Sequence, residues 1–117
     1  MALHALDLWK IDETLFFDCA HLQDFYFNQD LLQMVIVFSN NDRKVELIFD
    51  QGWRTIDIYL TISGSLVSAI HLKPTQYLQI ENNLILLGDE ETIKDSHHTI
   101  IDTNALTTSV EIGKAYF

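Results

Sequence analysis

The stretch that decides the fold is residues 54–62, which read Arg54-Thr55-Ile56-Asp57-Ile58-Tyr59-Leu60-Thr61-Ile62. Its aliphatic side chains alternate strictly with polar or hydroxyl-bearing ones. Successive side chains of a strand point to opposite faces, so this pattern predicts one apolar face and one polar face. Isoleucine, threonine and tyrosine also suit a pleated, half-buried surface. We therefore predict a central strand of an antiparallel sheet, with the four aliphatic residues facing the core.

Other short apolar runs surround this strand and are separated from it by polar turn sequences. We predict strands over residues 21–28, 31–38, 44–50, 66–72, 77–80 and 84–87, a strand or extended segment over 15–18, and short β-like runs over 99–102 and 109–112. The run 66–72 fits the helical and the strand period equally poorly, and its turn-like flanks favour a strand. The fold predicted is mainly β, an antiparallel sheet of about six to eight strands curled into a sandwich or half-barrel, with little helix. With no linker and no repeat, residues 1–117 are expected to form one domain.

The run 31–38 is apolar on both of its faces. Leu32, Met34, Ile36 and Phe38 lie on one face, and Val35 and Val37 on the other. Such a strand is buried on both sides or carries something on its outer face. Two functions follow from the second case: a homodimer that buries this strand, or a carrier whose curved sheet encloses an apolar ligand. The pocket of such a carrier would be lined by Phe25, Phe27, Met34 and Phe38.

The charge balance limits the classes of partner. Seventeen acidic residues face seven basic ones, for a formal net charge of -10. This charge repels nucleic acids and anionic membranes, and the basic patch of a nucleic-acid binder is missing. No apolar run approaches the roughly 18 residues of a membrane span. The single cysteine excludes an internal disulfide and favours a reducing cytoplasm. Neither a nucleic acid nor a membrane is therefore expected as a partner.

The acidic residues are concentrated near the start of the chain. Across the first thirty positions the only lysine or arginine is Lys10. Such a surface either recognises a basic partner or simply keeps the protein solvated, and charge mainly steers association and suppresses wrong partners. On the first reading, the residues that bind a protein partner with a basic surface are Asp12, Glu13, Asp18, Asp24 and Asp30.

No set of residues in the sequence has the spacing of a catalytic or metal site. Cys19 and His21 would share a face of one strand, but the acids around them oppose a thiolate, so we expect a buried structural cysteine. His97 and His98 are adjacent and would point to opposite faces of a strand, so we expect exposed loop histidines rather than metal ligands. The sequence thus predicts a protein that is not an enzyme and binds no metal or cofactor.

One resemblance points to a function. The stretch of residues 15–25, followed by the apolar run 31–38, resembles the N-terminal part of small, acidic, single-domain bacterial immunity-type proteins. Those proteins open with an aromatic-His-Asp motif followed by a hairpin; Phe17-Asp18 matches its last part, and Phe16-Phe17 replaces its aromatic-His pair. The resemblance implies a protein that binds and neutralises a cognate toxin without chemistry of its own.

Overall fold

The computed structural model describes residues 2–5, 12–72, 77–88 and 98–111. These form one short 3-10 helix (Glu13–Phe16) and ten strands: β1 (Ala2–Ala5), β2 (Leu22–Asn28), β3 (Gln33–Asn40), β4 (Arg43–Asp50), β5 (Thr55–Ile62), β6 (Ser65–Leu72), β7 (Tyr77–Glu81), β8 (Leu84–Gly88), β9 (His98–Asp102) and β10 (Thr107–Glu111). The predicted mainly β fold with little helix is confirmed. Within the described ranges, no helix has the length and apolar character needed to cross a membrane.

The strands form two five-stranded antiparallel sheets. One has the order β2-β3-β4-β5-β6, and the other has the order β1-β7-β8-β9-β10. Both sheets contribute side chains to a single apolar cluster, in which Leu47 and Ile58 of the first sheet join Leu78, Ile85 and Ile101 of the second. The two inner faces therefore pack against each other as a sandwich. The structure has ten strands, more than the six to eight predicted, because they build two complete sheets, and β1 from the start of the chain completes the second one.

Strand β5 behaves as its alternation predicts. The side chains of Ile56 and Ile58 are fully buried, and Leu60 is nearly so. On the inner face, Ile58 lies opposite Leu47 of β4 and Ile70 of β6. The run 66–72, which the sequence left open between helix and strand, is strand β6. Burial of one face and pairing along both edges make β5 an interior strand.

Strand β3 begins two residues later than predicted. The side-chain oxygen of Asn28 accepts hydrogen bonds from the backbone N–H groups of Asp30 (3.1 Å) and Leu31 (3.3 Å). This Asx turn, followed by a left-handed backbone at Leu32 (φ 53°), carries the turn through residue 32. Leu31 and Leu32, predicted as strand residues, therefore lie in the turn between β2 and β3.

The two-sided apolar pattern of β3 reflects burial on both faces. Ile36 and Phe38 are fully buried against the second sheet, while Val35 (3% exposed) and Val37 (9%) are buried on the opposite face. The strand is paired with β2 on one side and with β4 on the other. Both of its edges are thus occupied, and a homodimer cannot form by strand-to-strand pairing through β3.

Residues 15–18, predicted as a strand or extended segment, are instead the end of the 3-10 helix and the turn that follows it. Asp12 caps this helix by accepting a hydrogen bond from the backbone N–H of Thr14. The helix directs Phe16 into the core, where its ring lies 6.3 Å from that of Phe25 and 6.5 Å from that of Phe38. A local cap therefore replaces a predicted strand and supplies a fully buried aromatic side chain.

We predict that Ile58→Asp lowers the free energy of unfolding by about 3 to 5 kcal/mol, because it places an unpaired carboxylate in a fully buried position. Chemical denaturation of parent and variant measures the difference. The matched control is Thr61→Asp, on the outer face of the same strand opposite Lys44, which should have a small effect. Equal midpoints for Ile58→Asp and the parent would contradict the core position of β5.

Candidate protein-binding surface

The five carboxylates predicted to bind a partner lie on or beside one edge of the first sheet. Asp12 and Glu13 lie at the start of the 3-10 helix, Asp18 in the turn after it, Asp24 on β2, and Asp30 in the turn that follows β2. All five are exposed, and β2 is an edge strand. At about 3.3 Å per residue, β2 itself is roughly 20 Å long. We call these five residues the acidic edge.

Local hydrogen bonds stabilise the ionised carboxylate of Asp12, one residue of the acidic edge. Hydrogen bonds from the backbone N–H of Thr14 (2.9 Å) and from its hydroxyl (3.0 Å) lower the pKa of Asp12. In the part of the chain that the structure describes, the lysines and arginines are Arg43, Lys44 and Arg54, and none of these lies on β2 or in residues 12–21. Within the described ranges, the acidic edge therefore has no neutralising cation on its own elements.

A second exposed feature lies at the end of the first sheet where the β2–β3 and β4–β5 turns meet. The backbone N–H of Gln51 donates a 2.8 Å hydrogen bond to the carbonyl of Leu32, which joins the two turns. Three large apolar side chains are exposed on these turns: Leu31 (57%), Leu32 (41%) and Trp53 (84%). We call these three residues the tip cluster. It places an apolar surface beside Asp30, the last residue of the acidic edge.

The buried carboxylate of Asp50 holds the turn that carries Trp53. One of its oxygens accepts a hydrogen bond from the backbone N–H of Trp53 (2.8 Å), and the other accepts one from Nε2 of Gln33 (2.9 Å). Asp50 is only 3% exposed, so both hydrogen bonds are shielded from competing water. The turn is therefore held by a buried side chain, while the indole of Trp53 is exposed to solvent.

Sequence reasoning missed the tip cluster for two reasons. Leu31 and Leu32 continue the apolar pattern of the strand, so this pattern predicts strand for both. The turn that takes them out of β3 depends on the tendency of the Asn28 side chain to accept hydrogen bonds from the backbone that follows it. Trp53 follows Gln51-Gly52, a turn sequence in which a large aromatic residue is out of place. That mismatch was the available signal.

The residues expected to line a ligand pocket are instead part of the core or its margin. Phe38 is fully buried, Phe25 and Met34 are partly buried against the core, and Phe27 is 39% exposed. The ring of Phe16 lies beside those of Phe25 and Phe38. These two rings therefore contact another side chain where a pocket would need open space.

Cys19 is a buried structural cysteine, as predicted. Its side chain is 5% exposed, and burial raises the pKa of its thiol. It lies before β2, and His21 has a left-handed backbone (φ 64°), so the two residues do not share the face of one strand. The adjacent N–H of Ala20 donates to the side-chain oxygen of Asn83 (2.9 Å), which ties this segment to the second sheet. The thiol is thus poorly suited to act as a nucleophile.

The expectation of exposed loop histidines is wrong for His98. It begins β9, lies opposite Gly88 of β8, and is 5% exposed, because the chain at this point is already part of the sheet. His97 lies outside the described residues. Across the described ranges, no three His, Cys, Asp or Glu side chains lie close enough to hold a metal ion, and the absence of a metal stays a prediction.

The opposite end of the sandwich carries an open depression of about 350 Å³, lined by Glu81, Asn82, Asn83, Leu84, Asp102 and Asn104. Several of its polar groups hold the surrounding turns. One oxygen of Asp102 accepts hydrogen bonds from the N–H groups of Asn104 and Ala105 (both 3.0 Å). The carbonyl of Asn83 accepts from the N–H and the hydroxyl of Thr103. These hydrogen bonds give the depression a structural role.

We predict that Asp50→Ala destabilises the protein by about 1 to 3 kcal/mol, because it removes the acceptor of two shielded hydrogen bonds. It should also increase the mobility of Trp53, measured by fluorescence anisotropy in a Trp9→Phe background that leaves one tryptophan. The control is Asp42→Ala, which removes an exposed carboxylate that accepts from the hydroxyl of Ser63 (3.0 Å). An unchanged anisotropy in Asp50→Ala would show that the turn is not held by this carboxylate.

Comparison of the chain with family models, with curated proteins and with solved structures finds no match. We therefore infer function from the positions, exposure and contacts of the side chains themselves. Two surface features carry that inference: the tip cluster, with its exposed indole, and the acidic edge that runs along β2 toward it.

Proposed function

We propose that the protein is a non-enzymatic binding protein that docks a protein partner through the tip cluster, with the acidic edge facing basic groups of that partner. The observation that carries the proposal is the exposure of Trp53, at 84%, on a turn held by a buried carboxylate. The acidic edge supplies the charge preference, and the tip cluster supplies the apolar contact.

The exposed indole has the properties of a binding anchor. A tryptophan side chain buries 150–250 Å² when it is covered, which corresponds to roughly 4 to 6 kcal/mol of gross transfer free energy. Tryptophan is among the residues most enriched at the energetic centres of interfaces. Leu31 and Leu32, on the adjoining turn, extend the apolar surface that a partner can cover. A single protein socket of complementary shape would remove all three side chains from water.

The hydrogen bonds of Asp50 make this anchor preorganised. A turn that is ordered before binding loses less conformational entropy when the partner docks. The contacts from Asp50 to Trp53 and Gln33 tie the turn to both β3 and β4. The free energy gained by burying the Trp53 side chain is therefore reduced less than it would be if the turn were flexible before binding.

The acidic edge defines the chemistry of the partner. Its five exposed carboxylates attract a basic protein surface over the Debye length and repel anionic ones. The resemblance to immunity-type proteins makes a toxin domain with a basic surface the first partner to test. The cytoplasm is the compartment we propose for the encounter, on the basis of the single cysteine.

We predict that Trp53→Ala weakens partner binding by about 30-fold or more, the loss expected when an anchor worth at least 2 kcal/mol is truncated. The partner is first recovered from cells of the source organism by affinity capture with the parent protein, and then purified. Calorimetric titration gives the dissociation constants of parent and variant for this partner.

The matched control is Phe17→Ala, which truncates another exposed aromatic residue (59%) away from the tip, in the turn after the 3-10 helix. This variant should bind like the parent. If Trp53→Ala binds with unchanged affinity, the tip cluster is not the docking site.

We predict that the acidic edge accelerates association. Replacing Asp12, Glu13 and Asp24 by their amides should slow association at low salt and have little effect at 1 M salt, where the Debye length is about 3 Å. The dissociation rate should barely change, because exposed charges act mainly before docking. Asparagine at position 12 can still cap the 3-10 helix. Stopped-flow association kinetics across a salt series measure the effect.

The control for position is a second triple variant, Asp42→Asn, Glu46→Gln and Asp57→Asn, which removes the same charge from the β3–β4 turn, β4 and β5. It should slow association less than the first triple variant does. Equal slowing by both would assign steering to the total charge of the chain and not to the acidic edge. An association rate that does not depend on salt would exclude electrostatic steering.

A further inference from the structure

Strand β6 is an edge strand without charge. It pairs with β5 on one side and lies at the end of the order β2-β3-β4-β5-β6. Its eight residues, Ser65–Leu72, include no Asp, Glu, Lys or Arg and no proline. Among the described residues no strand pairs with its outer edge, so this edge presents backbone N–H and C=O groups of the kind that a further strand recognises.

Two of the other edge strands carry devices that prevent such pairing, and the third, β1, has only four residues. Strand β2 contains Asp24 and an irregular register beside it, and β10 has five residues and ends at a glutamate. Strand β6 has one irregularity in register near its start, after which residues 68–72 pair regularly with β5. It also exposes two aliphatic side chains, Leu66 (60%) and Val67 (58%). An uncharged, partly apolar edge of this length favours association.

The carboxylates of the acidic edge lie far from β6. The acidic edge lies on or beside β2, at the opposite side of the same sheet, four strand spacings away. At about 4.8 Å per spacing this is roughly 19 Å, about twice the Debye length at physiological ionic strength. The nearest described carboxylate on the neighbouring strand, that of Asp57, contacts Nδ1 of His71 at 2.8 Å. Two β6 strands can therefore approach each other without strong repulsion between their acidic edges.

We propose that β6 is a dimerisation edge, and that its occupant is the β6 strand of a second copy of this chain. An antiparallel arrangement around a two-fold axis brings the same uncharged strand to both sides and joins the two sheets into one continuous ten-stranded sheet. A basic peptide is the weaker occupant, because β6 has no carboxylate of its own for such a peptide to contact. This inference goes beyond the proposed function and does not depend on the tip cluster.

The arrangement leaves the partner-binding surface free. The acidic edges of the two copies lie at the two outer sides of the continuous sheet, because β2 and β6 are opposite edges. The dimer therefore presents two equivalent acidic edges. A partner with two basic sites would gain from binding both at once.

The test is the mass of the purified protein in solution, measured by sedimentation equilibrium over a wide concentration range. The parent should sediment with twice the mass of one chain. The double variant Leu66→Lys/Val67→Lys should sediment as a monomer, because lysines on an edge strand oppose pairing, while its circular dichroism stays that of the parent. Ala69→Lys, at another exposed position of β6, gives a second, independent change and should also sediment as a monomer.

The control is Val110→Lys, at a position equally exposed (61%) on β10, an edge strand of the other sheet. This variant should remain a dimer. A parent that is monomeric at all concentrations overturns the proposal. So does a dimer that persists in folded Leu66→Lys/Val67→Lys and Ala69→Lys, or one that is lost in Val110→Lys.

A direct readout uses Ala69→Cys and a short bismaleimide. The native thiol of Cys19 is buried and its pKa is raised, so the new cysteine is the reactive one in the folded protein. Two copies of residue 69 near the two-fold axis should be crosslinked in high yield, whereas Val110→Cys should not be. Absence of crosslinking in Ala69→Cys overturns the β6 arrangement.

Discussion

Apolar contact between the two sheets is the interaction on which the rest of the structure depends. The fully buried side chains of β3, β4 and β5 meet those of β7, β8 and β9 in one cluster, and burial of this surface provides the main driving force for folding. The 3-10 helix contributes Phe16 to the same cluster. A residue outside the sheets thus becomes part of the core because a cap at Asp12 sets the direction of the helix.

The tip cluster differs from the core in that its large apolar side chains are exposed to solvent. Most large apolar side chains of the described strands point inward or are covered by their neighbours, whereas Trp53 and Leu31 lie on turns that extend beyond the sheets. Asp50 provides the link between the two environments. Its carboxylate is buried and accepts a hydrogen bond from the backbone N–H of Trp53, whose side chain is exposed to water. A core residue thereby orders a surface suited to binding.

The first sheet is asymmetric from edge to edge, and the asymmetry separates two modes of association. Charge is concentrated on or beside β2, where it favours a basic partner. Strand β6 contains no Asp, Glu, Lys or Arg, so it is suited to a strand of like composition. Four strand spacings between these edges keep the two interactions from interfering, since fields from exposed charges decay within about a Debye length.

The sequence by itself determined the strands whose alternation is strong, the inward face of β5, the apolar character of both faces of β3 and the buried state of Cys19. These features depend on period and on local composition, which a single segment carries. Only the tertiary structure decided that Phe16 enters the core, that Leu31 and Leu32 leave β3, that His98 is buried in a sheet, and that Trp53 and β6 are exposed. Each of these depends on a capping hydrogen bond or on which strands become neighbours, and neighbours come from distant parts of the chain. Strand order in particular decides which of two similar apolar strands, β3 or β6, keeps a free edge.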